Sequence, residues 1–190
     1  MFSGLPGSCF VPESFTICSA FMTDGWTTEF TATRLFTLLD DDRETWGRIY
    51  LFAASSYSEY EVVLGPTKFV QKTAAVLFPL QWTRACLSLD STTSKMIAVA
   101  DGQLLGEEEY RREDDKYRPE NFHLVLGYDP SGEFEYPVKI ADLNVFSSSL
   151  SVERMVGLTR AGEEECGAAG DLVSWEEAEW TLHSEAKVME

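Results

Sequence analysis

Apolar and polar positions alternate with a period of two along much of this chain. In Ser14–Met22, Phe15 and Ile17 fall on one face of an extended strand, and Thr16 and Cys18 fall on the other. Because both faces are rather apolar, the segment is predicted to be an inner strand of a two-layer sandwich. The same alternation predicts further strands at Leu35–Leu39, Arg48–Ala53, Glu59–Leu64, Thr83–Leu89, Met96–Ala100, Phe122–Leu126 and Val138–Phe146.

Turn-forming residues separate these strands. Asp90–Lys95 is polar, and the dipeptide Asp101-Gly102 suits a tight turn because glycine readily takes a positive φ. Helical periodicity is nearly absent. The pattern therefore predicts an all-β fold, an antiparallel β-sandwich or jelly roll that forms a single domain over residues 1–190.

One short helix is predicted near the C-terminus. Ser151 is placed to cap the segment VERMVGL, and Glu153 lies in its first turn, at the positive end of the helix dipole. The acidic stretch Gly106–Asp115 is predicted to be a solvated loop. Trp175 and Trp180 are expected to dock the C-terminal tail onto the sandwich.

Composition narrows the range of partners. The 190 residues are 44% hydrophobic, enough for one substantial core, and the formal net charge is −17. Such a field repels polyanions, so nucleic acid and anionic membrane surfaces are not expected partners. No apolar run approaches the roughly 20 residues that span a bilayer. The N-terminus lacks the basic start and apolar core of a signal peptide, and we expect Met1 to begin a fragment of a longer protein.

Four cysteines, Cys9, Cys18, Cys86 and Cys166, permit three disulfide pairings. No two of them have the spacing of a zinc ribbon. Buried free thiols that act as small apolar fillers are the alternative, and the residues alone leave both interpretations open.

Catalysis is not predicted. Glycoside hydrolases of related jelly-roll form hold two carboxylates at a fixed separation on alternate positions of one strand, and no such pattern occurs here. His123 alternates with core residues of its strand, and His183 has no serine or cysteine paired with it. We therefore expect a binding protein and not an enzyme.

Five segments, in the order in which they occur, resemble the pentraxins. They span about residues 14 to 182 and comprise FTICSAFM with Cys18, WTRACLSLDSTTSKMIAVADGQ with Trp82 and Cys86, FHLVLGYD, KIADLNVFSSSLSVERM and DLVSWEEAEW with Trp175. The resemblance implies a jelly roll of the laminin-G and concanavalin A type. It also implies a disulfide between Cys18 and Cys86.

The remaining pair, Cys9 and Cys166, is then predicted to form a second bridge. Both residues lie in Gly-rich segments outside the terminal strands, and jelly rolls bring their terminal strands together. Two disulfides indicate an oxidising compartment, so we expect an extracellular or secreted protein.

The resemblance further implies calcium as a cofactor, bound by carboxylates of two loops. The matching segments supply Asp40, Asp41 and Asp42 from one loop, and Asp129, Glu133 and Glu135 from the other. Calcium takes six to eight oxygen ligands, so the two loops have to converge to form the site.

The function implied by the resemblance is recognition of a carbohydrate or a phosphorylated ligand, often by ring-shaped homo-oligomers. The alternative is an adhesion module that binds an extracellular protein partner without calcium, as part of a larger membrane or secreted protein.

Overall fold

The computed structural model describes residues 2–3, 9–10, 14–23, 31–39, 45–54, 57–64, 67–73, 80–109, 121–126, 138–160, 169–178 and 181–182. Within these ranges the chain forms thirteen strands and one helix, α1, at Val152–Thr159. The strands are β1 Phe2–Ser3, β2 Cys9–Phe10, β3 Phe15–Thr23, β4 Thr31–Leu39, β5 Thr45–Ala54, β6 Tyr57–Leu64, β7 Thr67–Thr73, β8 Thr83–Asp90, β9 Lys95–Ala100, β10 Gln103–Glu109, β11 Asn121–Leu126, β12 Val138–Phe146 and β13 Thr181–Leu182.

The strands build two antiparallel sheets. The larger sheet has the order β13-β1-β11-β4-β5-β6-β7, with β2 paired to β11, and the smaller sheet has the order β10-β9-β8-β3-β12. Apolar side chains from β4 and β11 of one sheet pack against those from β3, β8, β9 and β12 of the other. This is the predicted jelly-roll sandwich with one short helix.

The core between the sheets follows the predicted alternation. Phe15, Ile17 and Phe21 of β3 point into it, as do Leu87 and Leu89 of β8. The intervening residues point to the outer face of the smaller sheet, the face turned away from the larger sheet. A smaller apolar cluster lies there, formed by Cys18, Cys86, Val99, Met155 and Leu158.

The helix α1 covers part of this outer face. Ser151 caps it as predicted, because its side chain accepts a hydrogen bond from the Arg154 N–H at 3.3 Å. That capping arrangement also lowers the pKa of Glu153 in the first turn, through the residue's own backbone N–H and then the Ser151 hydroxyl. Met155 and Leu158 are the residues that α1 buries against the sheet. No helix in the described part of the chain is long and apolar enough to cross a membrane.

The prediction of a solvated loop at Gly106–Asp115 is wrong for the residues that the structure describes. Gly106–Glu109 is part of strand β10 and pairs with β9, for example Glu107 with Ile97. β10 is an edge strand, and its glutamates are exposed to solvent. Backbone hydrogen bonds to β9 on one side hold the strand in the sheet. Its side chains therefore show no alternation of apolar and polar residues that would identify a strand in the sequence. Residues 110–115 lie outside the described part of the chain.

The C-terminal tail docks on β12, the other edge of the smaller sheet. Val145 N–H donates to the Val173 carbonyl at 2.9 Å, and the Leu172 N–H donates to the Val145 carbonyl at 3.0 Å. Trp175 is partly buried and packs against the core, in agreement with the predicted docking. Trp180 lies outside the described residues.

Candidate functional site

A disulfide lies at the centre of the outer face. Cys18 of β3 and Cys86 of β8 are directly opposite each other in the strand register, and their Cα atoms are 4.1 Å apart. The two are joined by a disulfide, which confirms the pairing that the resemblance implied. The bond is buried below Met155 and Leu158 of α1. Cys9 lies in β2, whereas Cys166 lies outside the described residues, so their predicted bridge stays a prediction.

A network of buried hydroxyl groups positions the chain that leads into α1. The Thr16 hydroxyl is 3.0 Å from Ser88 Oγ and 2.9 Å from the Ser148 carbonyl, and it accepts from the Leu150 N–H at 2.9 Å. Ser88 Oγ lies 2.9 Å from Ser149 Oγ. Thr16 and Ser88 are almost completely buried, and a buried hydroxyl without partners would be costly. The network therefore holds residues 148–150, and with them the start of α1, against the sheet.

The tight turn between β9 and β10 connects this helix to β8. Both Asp101 and Gly102 have positive φ angles, 46° and 74°, as a type I′ turn requires. The Gly102 N–H donates to the Thr159 hydroxyl at 3.0 Å, at the end of α1. The Asp101 carboxylate accepts from the Arg84 N–H at 2.9 Å, at the start of β8.

Burial raises the pKa of Asp101 above its usual range, while the hydrogen bond from the Arg84 N–H and the Arg84 charge oppose the shift. Although the residue as a whole is exposed, its carboxylate is therefore partly withdrawn from solvent beside β8.

Between α1 and β12, the outer face forms a shallow groove that encloses only about 20 Å³, so most of its space is open to solvent. Apolar and polar residues both line it. Three larger polar side chains are among them, Arg84, Asp142 and Asn144, and a few polar groups beside apolar surface are a feature of small-ligand sites. The other lining residues are Cys18, Ser19, Ala20, Ala85, Cys86, Phe146, Leu158 and Thr159.

A β-bulge brings Asp142 to the groove. The register of β12 against β3 shifts between Ala141 and Asn144, and Asp142 takes a left-handed φ of 51°. Bulges re-aim side chains and occur often beside functional sites. Asn144 stabilises the bulge, since its amide N–H donates to the Asp142 carbonyl at 3.1 Å and its Oδ1 accepts from the Gly170 N–H at 3.1 Å.

Arg84 and Asp142 face each other beside this groove. The closest guanidinium nitrogen is 3.8 Å from the carboxylate, and the two side chains are 31% and 51% exposed. At that separation and exposure the ion pair contributes little to stability. Arg84 therefore remains available to an additional partner.

The exposed Trp82 lies beside the groove in sequence. It precedes β8 by one residue, and the alternation of β8 places it on the same face as Arg84 and Cys86. Its exposed fraction, 46%, is unusual for so large an apolar side chain.

None of the predicted calcium ligands falls in the described residues: Asp40, Asp41, Asp42, Asp129, Glu133 and Glu135 all lie outside them. Carboxylate oxygens are the donors that calcium prefers, so the chemistry of the set fits the ion. Within the described ranges, no three His, Cys, Asp or Glu side chains are grouped so as to hold a metal ion.

The strands that precede the two acidic segments are described, and they are neighbours. Leu39 at the end of β4 pairs with His123, and Leu126 at the end of β11 pairs with Phe36. Because the pairing is antiparallel, the last described residues before the two segments, Leu39 and Leu126, lie three residue steps apart along the sheet, about 10 Å at roughly 3.4 Å per residue. A calcium ion held by both loops requires one loop to return along the sheet by this distance.

Sequence reasoning missed the groove. Period-two alternation places Arg84 on the same face of β8 as Cys86, but no pattern connects it to β12, more than 50 residues later. The residues of β12, VKIADLNVF, mix polar and apolar types without marking Asp142, so no local signal identified the bulge.

Comparison with known proteins supports the architecture. No protein-family model matches the chain, and no curated protein sequence matches it either. Among solved structures, it is similar to the native heptameric SAP-like pentraxin from Limulus polyphemus, with a TM-score of 0.77 and 14% identity over 95% of this chain and 84% of that chain.

Two other similar structures come from larger proteins. The carbohydrate-binding module CBM40 of the Ruminococcus gnavus IT-sialidase, solved with α2,3 sialyllactose, gives a TM-score of 0.57 and 16% identity over 78% of this chain and 84% of that chain. The full extracellular region of zebrafish Gpr126/Adgrg6 gives 0.62 and 13% over 96% of this chain and 25% of that chain. The chain therefore has the pentraxin-like jelly-roll fold that the sequence predicted.

Proposed function

We propose that this chain is an extracellular recognition module that binds carbohydrate. The observation that carries the proposal is the similarity of nearly the whole chain to a pentraxin, together with a similar module that was solved with a bound sialylated sugar. The Cys18–Cys86 disulfide supports the extracellular assignment, because disulfides persist in oxidising compartments. We also propose that residues 1–190 form one domain and that the module has no catalytic activity.

Calcium is the cofactor that the resemblance implies. Asp40, Asp41 and Asp42 would supply oxygens from one loop, and Asp129, Glu133 and Glu135 from the other. Bound calcium would neutralise carboxylates that otherwise repel one another, and it would stabilise the folded state by mass action.

A glycan array probed with and without calcium tests this function. We expect binding to a restricted set of glycans, stronger in millimolar calcium than in chelator, and no turnover of the bound glycans. Phosphorylated headgroup analogues on the same array test whether the module binds a phosphorylated ligand instead. An array without any bound glycan would contradict the proposal.

Thermal melting separates the calcium question from the glycan question. Calcium is expected to raise the melting temperature of the wild type, and the Asp41→Ala and Glu133→Ala variants are expected to lose the rise. Magnesium should have little effect, because it gives up its water reluctantly to an irregular set of oxygens. A wild-type melting curve that calcium leaves unchanged would argue against the metal site while leaving carbohydrate binding open to the array.

An adhesion module is the second candidate function. It is favoured by the similarity to the zebrafish receptor, in which the matched part makes up only 25% of an extracellular region. This alternative would be supported if no glycan bound and if a purified extracellular protein bound saturably in the presence of a calcium chelator.

We further propose that the module assembles into homo-oligomers, because the Limulus pentraxin of similar fold is heptameric. Light scattering during size-exclusion chromatography tests this assembly. A mass equal to one 21.3 kDa chain over the whole concentration range would contradict it.

A further inference from the structure

We propose that the groove on the outer face of the smaller sheet is a subsite for one neutral sugar residue, read by Arg84, Asp142 and Asn144. The inference rests on the proposed carbohydrate-binding function. It assigns that function to a place on β3, β8, β12 and α1, whereas the acidic segments follow β4 and β11 of the larger sheet.

The first argument is the hydrogen-bonding capacity of Arg84. The side chain is 31% exposed, so much of it is removed from water, yet its one polar contact among the described residues is the 3.8 Å approach to Asp142. A guanidinium group carries five N–H donors in a planar fork. Arg84 lines the groove, so a pair of neighbouring sugar hydroxyls bound there would accept from these donors.

The second argument is that donors and acceptors are mixed in the groove. The Asp142 carboxylate has no hydrogen bond from the described residues, and Asn144 uses one of its two amide N–H donors within the fold. Sugar hydroxyls donate and accept at once, so a carboxylate, an amide and a guanidinium together match them.

The charges around the groove and on the whole chain disfavour an anionic ligand in the groove. Arg84 is opposed by Asp142, and Asp101 of the β9–β10 turn accepts from the Arg84 N–H. The Arg160 side chain lies against Gly102 of the same turn. The whole chain carries a net charge of −17. A phosphate or carboxylate in the groove would therefore meet no local excess of positive charge and would be repelled by the overall negative field, whereas a neutral sugar would not.

The apolar surfaces of the groove suit the apolar face of a sugar ring. The groove offers Ala20, Phe146 and Leu158 to the C–H face of a sugar ring. Trp82, 46% exposed just before β8, does not line the groove, but its apolar body and polar N–H suit a sugar that extends beyond it.

Titration with neutral disaccharides tests the subsite. We would record amide chemical shifts of the labelled wild type with lactose, mannobiose and chitobiose, and then repeat the strongest titration with two variants. Arg84→Met keeps the aliphatic stem, and Asp142→Asn keeps a residue that tolerates the left-handed φ. Each is expected to weaken binding by about tenfold, the typical effect of losing a hydrogen bond to a charged group.

Lys95 and Glu107 provide the matched controls. They form a second exposed ion pair on the same sheet, between β9 and β10. Lys95→Met and Glu107→Gln make equivalent changes of charge away from the groove and are expected to leave disaccharide binding unchanged.

The outcomes separate the subsite from the function. A wild type that binds neither these disaccharides nor any glycan on the array would overturn the carbohydrate-binding function as well as the subsite. Glycan binding that survives both groove variants would overturn the subsite alone. Arg84-dependent binding that is tighter for sialyllactose than for lactose would overturn the neutral assignment. Variants that lower the melting temperature without weakening binding would show that the groove serves the fold only.

Discussion

At Gly170 the backbone of the docked tail comes too close to β12 for any side chain. A Cβ atom at this position would lie 2.6 Å from the Val145 backbone nitrogen and closer still to the Val145 and Val173 carbonyl oxygens. All three are backbone atoms held in hydrogen bonds, so they cannot swing aside as a flexible side chain would.

Gly170→Ala is therefore expected to displace the tail and lower the free energy of unfolding by about 2 kcal/mol, within the usual cost of overpacking. Urea unfolding measures the change, and Ala169→Ser at the exposed neighbouring position is the control. Equal stability of Gly170→Ala and the wild type would show that the tail does not lie along β12 in solution.

Asp171 connects the same tail to the end of β12 through its carboxylate. The backbone N–H of Ser147 donates to it at 2.7 Å and the Ser147 hydroxyl donates to the second oxygen. These hydrogen bonds favour the charged form and hold the pKa of Asp171 below its usual value of 3.8.

Because the folded-state pKa is the lower one, this contribution to stability is present above pH 3.8 and is lost as the pH falls through the folded-state pKa. We expect Asp171→Asn to melt below the wild type at pH 6, and the difference to shrink below pH 4. Asp101→Asn is the control with the opposite sign, since burial raises that pKa and the wild type loses stability as the pH rises through it. A constant difference between Asp171→Asn and the wild type at all pH values would contradict the assignment.

At the scale of elements, the two edges of the smaller sheet are protected by different means. The tail covers β12, whereas β10 presents exposed glutamates, and charge on an edge strand discourages pairing with another chain. Lys95 on β9 pairs with Glu107 of β10, and this contact raises the pKa of Lys95. The inner strands β3 and β8 are joined covalently.

The Cys18–Cys86 bridge is expected to contribute about 4 kcal/mol, because it joins residues separated by 68 positions and restricts the unfolded chain accordingly. The double variant Cys18→Ala/Cys86→Ala should unfold at lower urea concentration by a corresponding amount. Reduction of the wild type should reproduce the loss. A double variant as stable as the oxidised wild type would mean that the bridge does not constrain the unfolded state.

For the whole molecule, closure of the sandwich depends on the C-terminal tail. Trp175 is partly buried against the core, so Trp175→Ala is expected to cost about 3 kcal/mol, the lower end of the range for removing a large aromatic side chain. Differential scanning calorimetry measures the change. The exposed Trp82 is the matched control, and Trp82→Ala should leave the melting temperature near that of the wild type. Equal effects of the two substitutions would contradict the docking.

The second predicted disulfide, Cys9–Cys166, would join the two ends of the chain. If it forms, the folded and the denatured unreduced protein should both contain no thiol that reacts with an alkylating agent. Peptide mapping without reduction should then recover Cys9 and Cys166 in one linked peptide pair. Two reactive thiols in the denatured, unreduced protein would refute the bridge.

The sequence by itself determined the elements whose signals are local. Period-two alternation identified most of the strands, and it assigned the two faces of β3 correctly because successive side chains of a strand must point to opposite sides. The helix start followed from Ser151, since a capping hydroxyl acts within one turn. The pairing of Cys18 with Cys86 came from the resemblance to the pentraxins, and not from the residues alone.

Only the tertiary structure decided what depends on register between distant strands. Nothing local marks Gly106–Glu109 as a strand, because its partner β9 supplies the hydrogen bonds and its glutamates face solvent. The placement of α1 over the disulfide, and of Arg84 opposite Asp142, requires β8, β3 and β12 to lie side by side with a bulge at one position. Such contacts join residues far apart in the chain, so they are fixed by the packing of whole sheets and not by the composition of any one segment.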